Sequence, residues 1–461
     1  MRRLFALALL LALLAPSATS QDLPQHLVGR WWLSMAEQVG MPLNLTFAPD
    51  SAGNPRPLLY SPMQSPEPVI PSKWSFSNDT LRFSEKHTGI KMTLAFKDDI
   101  FSGSFRQGLL RMEIRFSPSD GLFVLNRPQT PVPPFPYSER EVVITRKKAG
   151  VTLTGTLSIP EGNGPFPAVI LVSGSGQQNR DEELLGHKPF AVLADYLTRQ
   201  GIAVLRYDDR GVGGSKGEVE KATTLDFADD AEALFSFLRK QKNIDPHKTG
   251  IIGHSEGGMI APIVASRNKK VSFIITLGGP GGLGSDIILE QSERIMQLDS
   301  VPQLLIDRHI AALRELFSMT DTLPVELYEK TCIQLFEKHS SDLSQQEKKR
   351  AGLTRGEAMV LASQLSIPWM QTFLSLDNSK YLKKVKCPIL AINGEKDCQV
   401  VPSNLDAIAK ATQGRAETHL MKDLNHLMQH CSSGAPSEYM LIEQTLSPDL
   451  LSLISSWINR Q

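Results

Sequence analysis

Apolar and polar positions follow two different rhythms along this chain, and the change falls near residue 127. Before it, short runs alternate in character: 42–47, 73–76, 80–83, 90–96 and 110–116. Such alternation turns one face of a strand inward and the other outward. Turn formers separate the runs, as at Asp50-Ser51-Ala52-Gly53-Asn54, Asn78-Asp79 and Asp98-Asp99. The pattern predicts a small antiparallel sheet or barrel over 21–126, with Trp31, Trp32 and Trp74 helping to fill its core. The proline-dense stretch RPQTPVPPFPY at 127–137 then reads as an extended, stiff linker.

Beyond the linker the rhythm changes. Continuous apolar runs at 168–172, 202–206, 249–253, 273–277 and 388–393 alternate with helix-period segments such as 190–200 and 225–240. Strands that are apolar on both faces need helices on both sides, which predicts a mostly parallel, doubly wound α/β sheet over 138–461. A last helix at 448–459 opens on Ser447-Pro448, a cap and first-turn pair. Between 278 and 386 the strand rhythm stops. Ile306, Ile310, Leu313 and Phe317 share one helical face, and Val325, Tyr328, Cys332 and Leu335 share another. The interruption predicts a helical insertion acting as a cap, the alternative being ordinary packing helices.

The N-terminus adds a compartment. Arg2 and Arg3 precede an apolar run, 4–15, too short to span a bilayer comfortably, and Ala18-Thr19-Ser20 offers a cleavage site before Gln21. A signal peptide over 1–20 and an exported, periplasmic or secreted product are expected, with no stable membrane insertion after cleavage. Lysine plus arginine balances aspartate plus glutamate, 49 against 49, which gives no electrostatic footprint for nucleic acid or an anionic membrane. The four cysteines, Cys332, Cys387, Cys398 and Cys431, form no CxxC, so no metal site is expected. Export permits disulfides, and a Cys398–Cys431 bridge would clamp two loops discussed next; separate thiols are the alternative.

The chemistry centres on GHSEGG at 253–258. It fits the G-x-S-x-G elbow, in which a strand turns sharply into a helix, here 256–267, and thrusts the serine hydroxyl outward. Ser255 is the expected nucleophile. His254 is a poor base because neighbours in a sharp elbow point apart. His426 lies in a loop after the predicted strand 417–422 and is the expected base, with His430 as runner-up. The base needs a carboxylate to hold its tautomer. Asp397, just after the 388–393 strand, is the natural choice over Glu395. For the oxyanion, the backbone N–H of Glu256 and that of Ser175 or Gly176, in the loop after 168–172, are the expected donors. The order Ser255, Asp397, His426 matches the α/β-hydrolase order.

On these residues, 138–461 resembles the α/β-hydrolase superfamily. It is most similar to exported bacterial carboxylesterases and to dienelactone-hydrolase-like and prolyl-oligopeptidase-like serine hydrolases. SGSGQQNRDE, RYDDRGVGGS, GHSEGG, INGEKDCQV and LNHLMQ carry the likeness. The resemblance implies a Ser255–Asp397–His426 triad and a cap between the sixth and seventh strands. It gives Asp208, Arg210, Gly211, Gly213 and Ser215 a site-shaping role. Ser173 departs from the family, which often has histidine there. The region before the linker looks similar to small β-rich domains that precede such hydrolases, most visibly at SPMQSPEPVIP. The expected activity is cofactor-free hydrolysis of a small-molecule ester or short acylated substrate through an acyl-enzyme. A serine peptidase or amidase with the same triad, and a non-catalytic binding protein, are the rival readings.

Overall fold

The computed structural model describes residues 23–35, 42–62, 67–108, 110–320 and 322–461. The leader expected at 1–20 and part of the SPMQSPEPVIP stretch lie outside the described residues. The chain divides into two units, Met1–Asn126 and Arg127–Gln461.

Among its described residues the first unit holds eight strands: β1 (Trp31–Ser34), β2 (Leu43–Pro49), β3 (Pro55–Tyr60), β4 (Lys73–Ser77), β5 (Thr80–Ser84), β6 (Ile90–Lys97), β7 (Ile100–Gln107) and β8 (Leu110–Ser119). They form one sheet in the order β3-β2-β1-β8-β7-β6-β5-β4, with antiparallel pairing throughout. Trp32 is fully buried and meets Phe101 edge-on at 5.0 Å. Trp74 packs against the same core from a half-buried position. Trp31 does not join it. Adjacent residues of a strand face opposite ways, and Trp31 rests instead on Tyr60, 5.4 Å away. Three strands, β1, β3 and β7, fall outside the sequence expectation. Prolines interrupt β3, and in β7 serines and a glycine dilute the alternation.

The second unit holds β9 (Ser138–Arg146), β10 (Val151–Ile159), β11 (Phe166–Val172), β12 (Ala203–Tyr207), β13 (Ile244–His254), β14 (Ile274–Leu277), β15 (Ile389–Gly394) and β16 (Ala416–Met421). The order is β16-β15-β14-β13-β11-β12-β10-β9. From β12 through β16 the neighbours are parallel, while β9 and β10 add an antiparallel edge. That edge lies outside the sequence expectation, because β9 is mostly exposed and β10 alternates apolar and polar residues, so neither carries a long apolar run.

The helices explain the apolar runs. On β11, Ile170 and Val172 face a core shared with α2 (Thr224–Leu238) and α3 (Gly257–Arg267). Val169 and Leu171 face the opposite core, shared with α1 (Pro189–Arg199) and the C-terminal helix Pro448–Asn459. Thr223 and Asp226 form a reciprocal capping box at the start of α2, which satisfies two otherwise unpaired amides. The C-terminal helix begins with proline as expected, but the Ser447 hydroxyl makes no capping bond.

Between β14 and β15 the described residues form seven α-helices: α4 (Gly284–Leu298), α5 (Gln303–Phe317), α6 (Tyr328–His339), α7 (Gln345–Arg350), α8 (Arg355–Leu365), α9 (Pro368–Ser375) and α10 (Asn378–Leu382). Ile306, Ile310 and Leu313 share a core with Tyr328, Cys332 and Leu335; Phe317 lies at its margin and Val325 is 45% exposed. Residues 127–137 are not a free spacer. Arg127 donates to the carbonyls of Leu185, Met440 and Ile442, Gln129 bonds Thr445 and Leu446, and the Tyr137 hydroxyl donates to Asp195. All four cysteines are free thiols. Cys398 and Cys431 donate separately, to the carbonyls of Gly434 and Asp423, so no bridge clamps their loops. The Lys396 amide, bonded to Leu424 O at 2.9 Å, and the Lys396–Asp423 ion pair at 2.7 Å join them instead. Among the described residues no helix is long and apolar enough to cross a membrane.

Candidate active site

β13 ends at His254 and α3 begins at Gly257, so the chain reverses within two residues. Ser255 takes the cost, with a left-handed φ of 53° that a non-glycine residue adopts under constraint. The Ser255 amide is anchored to Leu277 O at 2.9 Å. A Cβ at Gly253 would collide with the Gly257 carbonyl, and one at Gly257 with the Val172 carbonyl, so the bend tolerates no side chain at either position. The loop after β11 runs against this elbow: a Cβ on Gly174 would sit 3.1 Å from Cβ of Ser255. Among the described residues no acceptor takes the amide protons of Ser175, Gly176 or Glu256. Ser173, at the departure from the family pattern, donates its hydroxyl to Asp209 at 3.1 Å, and the Gln178 amide reaches the same carboxyl. Asp209 thereby braces the loop from below. Burial pushes its carboxyl up to about 8 despite those bonds. Its neighbour Asp208 binds Arg180 at 2.7 Å and the Gly214 amide at 3.0 Å, which fixes the RYDDRGVGGS turn.

His426 and Asp397 meet from two loops. Nδ1 of His426 lies 2.8 Å from Oδ2 of Asp397, with the residues 3% and 1% exposed. The other carboxylate oxygen accepts the amides of Gln399 and Val400 at 2.8 and 2.9 Å, so the acid is fixed in orientation. An Nδ1–H donated to the acid leaves the Nε2 lone pair for the cavity. The two alternatives lie elsewhere. His430 is exposed and bonds Gln444 at 2.8 Å, and Glu395 is exposed and accepts the Asp423 amide.

A second histidine–carboxylate pair lies beside the first. Nδ1 of His254 is 2.9 Å from Oε1 of Glu182, and Nε2 is 3.0 Å from the carbonyl of His426. The same Glu182 oxygen accepts the Gly174 amide at 2.7 Å. Burial alone would push His254 down, but Glu182 and the His426 carbonyl outweigh it and raise the group to about 9. Both ring nitrogens therefore donate. This pair ties the start of the loop after β11 to the backbone of His426.

Ser255, Ser175, Glu256 and His426 line a cavity of about 300 Å³, near the small end of ligand pockets. Its far wall comes from the insertion: Ile287, Ile288, Trp369 and Phe373.

With a serine elbow, a buried His–Asp pair and unengaged amides on one cavity, comparison with known proteins is informative. A family model, Hydrolase_4 (serine aminopeptidase, S33), matches residues 187–430, more than half of the chain. The chain belongs to this family. The hydrolase is 23% identical over 377 residues to esterase EstD of Thermotoga maritima, covering 81% of this chain and 77% of EstD. It is 34% identical over 145 residues to thiohydrolase aneE of Aspergillus aculeatus, covering 31% of this chain and 41% of aneE. The Pyrococcus furiosus esterase Pf2001 aligns with a TM-score of 0.42 at 14% identity, covering 70% of this chain and 93% of that one. By class the protein is an esterase-like α/β-hydrolase.

Three side chains of this hydrolase's site are not among those expected from sequence. Glu182 closes the SGSGQQNRDE stretch, in which no role falls to it. Glu256 was expected to contribute its amide alone. Trp369 is one tryptophan in a helical stripe, and its only sequence signal is its size within the insertion.

Proposed function

We propose that the protein is a serine carboxylesterase acting on short acyl esters. The observation that carries this reading is the shared cavity: Ser255, strained outward at φ 53°, lines it together with His426, whose other ring nitrogen is held by buried Asp397. In the proposed mechanism Ser255 Oγ attacks the ester carbonyl as His426 Nε2 takes its proton. Asp397 steadies the resulting imidazolium. The amides of Glu256 and of Ser175 or Gly176 receive the oxyanion. The protonated His426 gives its proton to the departing alcohol. Water, deprotonated by His426, then releases the acid and restores the serine.

The cavity composition favours an ester over a peptide N-terminus. The carboxylates among its described lining residues are Glu182 and Glu256. Glu182 is taken by His254 and the Gly174 amide, and Glu256 by Thr224 and Trp369. Neither is left to grip a substrate ammonium group, while the cap wall is largely apolar.

The test is Ser255→Ala assayed on p-nitrophenyl acetate and butyrate, with fluorophosphonate labelling of both proteins. Loss of at least about a thousandfold in kcat is expected, with label on Ser255 in the wild type alone. Equal turnover by the two proteins would sink the reading.

A further inference from the structure

The Glu256 side chain has partners that its amide's role does not require. The carboxylate is 2% exposed and accepts two hydrogen bonds, from the Thr224 hydroxyl at 2.6 Å and the Trp369 indole N–H at 2.8 Å, while the Ser175 hydroxyl also favours its charged form. These three groups come from three places. Thr224 opens α2 of the sheet layer, Ser175 stands in the loop after β11, and Trp369 belongs to α9 of the insertion. Glu256 itself stands at the N-terminal boundary of α3, immediately after the nucleophile, and its side chain makes no capping bond. Burial pushes its carboxyl up, and these three groups oppose that. A buried carboxylate deprived of such donors is costly, so each bond constrains its donor as well as the acid.

Trp369 is placed to report on what fills the cavity. Its ring lines the wall and packs on Phe373 at 5.5 Å, and its N–H points to Glu256. A substrate group lodged against this wall presses on the ring, and the ring is fastened to the residue after Ser255.

We propose that the Glu256 carboxylate is a positioning residue that couples the cap to the oxyanion donors, through Trp369 on one side and Ser175 on the other. The inference rests on the serine-hydrolase reading of Ser255. It assigns the cap a part in rate as well as in binding. Displacement of Trp369 moves Glu256 and Ser175, whose amides face the developing negative charge.

The test uses Trp369→Phe, which keeps an aromatic ring and deletes the N–H, together with Ser175→Ala, Glu256→Gln and the double variants. Two readouts are needed: kcat and KM on acetyl and hexanoyl p-nitrophenyl esters, and the rate of Ser255 phosphonylation by a fluorophosphonate. Trp369→Phe is expected to lower kcat and the phosphonylation rate about tenfold, the scale of one charge-assisted hydrogen bond. Added to Glu256→Gln, it is expected to cost little more. A change confined to KM would make Trp369 a wall residue and overturn the proposal, as would effects of the two substitutions that multiply in full. If Glu256→Gln does not fold, the Trp369→Phe and Ser175→Ala pair decides by the same rule, since both act through one carboxylate. A wild-type protein that the fluorophosphonate does not label would instead remove the hydrolase reading beneath the proposal. Labelling with a rate indifferent to Trp369→Phe would remove the coupling alone.

Discussion

The two histidine–carboxylate pairs make an instructive comparison, because their geometry is nearly the same and their circumstances are not. Asp397 and His426 meet at 2.8 Å, Glu182 and His254 at 2.9 Å, and the two rings lie 4.9 Å apart. All four residues are buried. The difference lies in the far nitrogen. On His254 it donates to a backbone carbonyl, which leaves the ring no free lone pair. On His426 it is left to the cavity. A histidine with both nitrogens engaged by acceptors is a brace; one with a lone pair beside a serine is available as a base. Burial and a short carboxylate contact, taken alone, would not tell them apart.

The sharpest way to break this division is to neutralise each acid. Asp397→Asn is expected to lower kcat about 10³- to 10⁴-fold, because the amide no longer holds the required tautomer or balances the imidazolium. Glu182→Gln is expected to cost about a hundredfold at most, by letting Gly174 and the His426 backbone shift. Steady-state kinetics on one short ester would read both. Equal losses would mean that the second pair shares in the chemistry, and the distinction drawn from the far nitrogen would fail.

What the sequence made legible follows the same line. Ser255, Asp397 and His426 each sit just past a strand, and a strand apolar on both faces is visible locally, as in AVILV or PILAIN. The structure brings the side chains of Asp397 and His426 together and puts Ser255 on their cavity. The braces were not legible. Glu182 and His254 are 72 residues apart, and Glu256 and Trp369 are 113 apart. No local pattern encodes either partnership; each exists only once the sheet order and the insertion have placed the elements. The docking of the linker was hidden for a related reason. Its prolines announce an extended backbone, but the docking of Arg127 depends on carbonyls more than 300 residues away, 313 for Met440 and 315 for Ile442. The antiparallel edge β9–β10 is hidden because β9 is mostly exposed and β10 alternates apolar and polar residues, so neither carries a long apolar run.

The comparison also separates the pairs by pH. His254 is raised to about 9 in the fold, against 6.5 for an ordinary histidine. A raised base contributes stability that is complete below about 6.5 and is lost as pH climbs through 9. The stability gap between wild type and His254→Gln, measured by urea denaturation, is therefore expected to be widest near pH 6 and to close above pH 9. A gap that stays flat from pH 6 to 10 would show a neutral His254 and an uncharged hydrogen bond in place of an ion pair.

The smallest expected effects belong to the residues that compete with the first pair in sequence alone. Glu395 stands two positions before Asp397, and His430 four after His426, each in the same loop as its rival. Loop membership and residue type do not distinguish them. Their surroundings do. Glu395 is exposed and its carboxylate meets only the Asp423 amide among its described partners, while His430 is exposed and turned to Gln444. Substitution at exposed sites of this kind costs within about 0.5 kcal/mol. With neither side chain on the cavity, Glu395→Gln and His430→Ala are expected to hold kcat/KM within about threefold of wild type. A loss from either one comparable with Asp397→Asn would reassign the acid or the base. It would also show that the short buried contact at 2.8 Å had been mistaken for the working one. The identity of the pair therefore depends on which carboxylate the fold buries against which ring, and not on which loop supplies it.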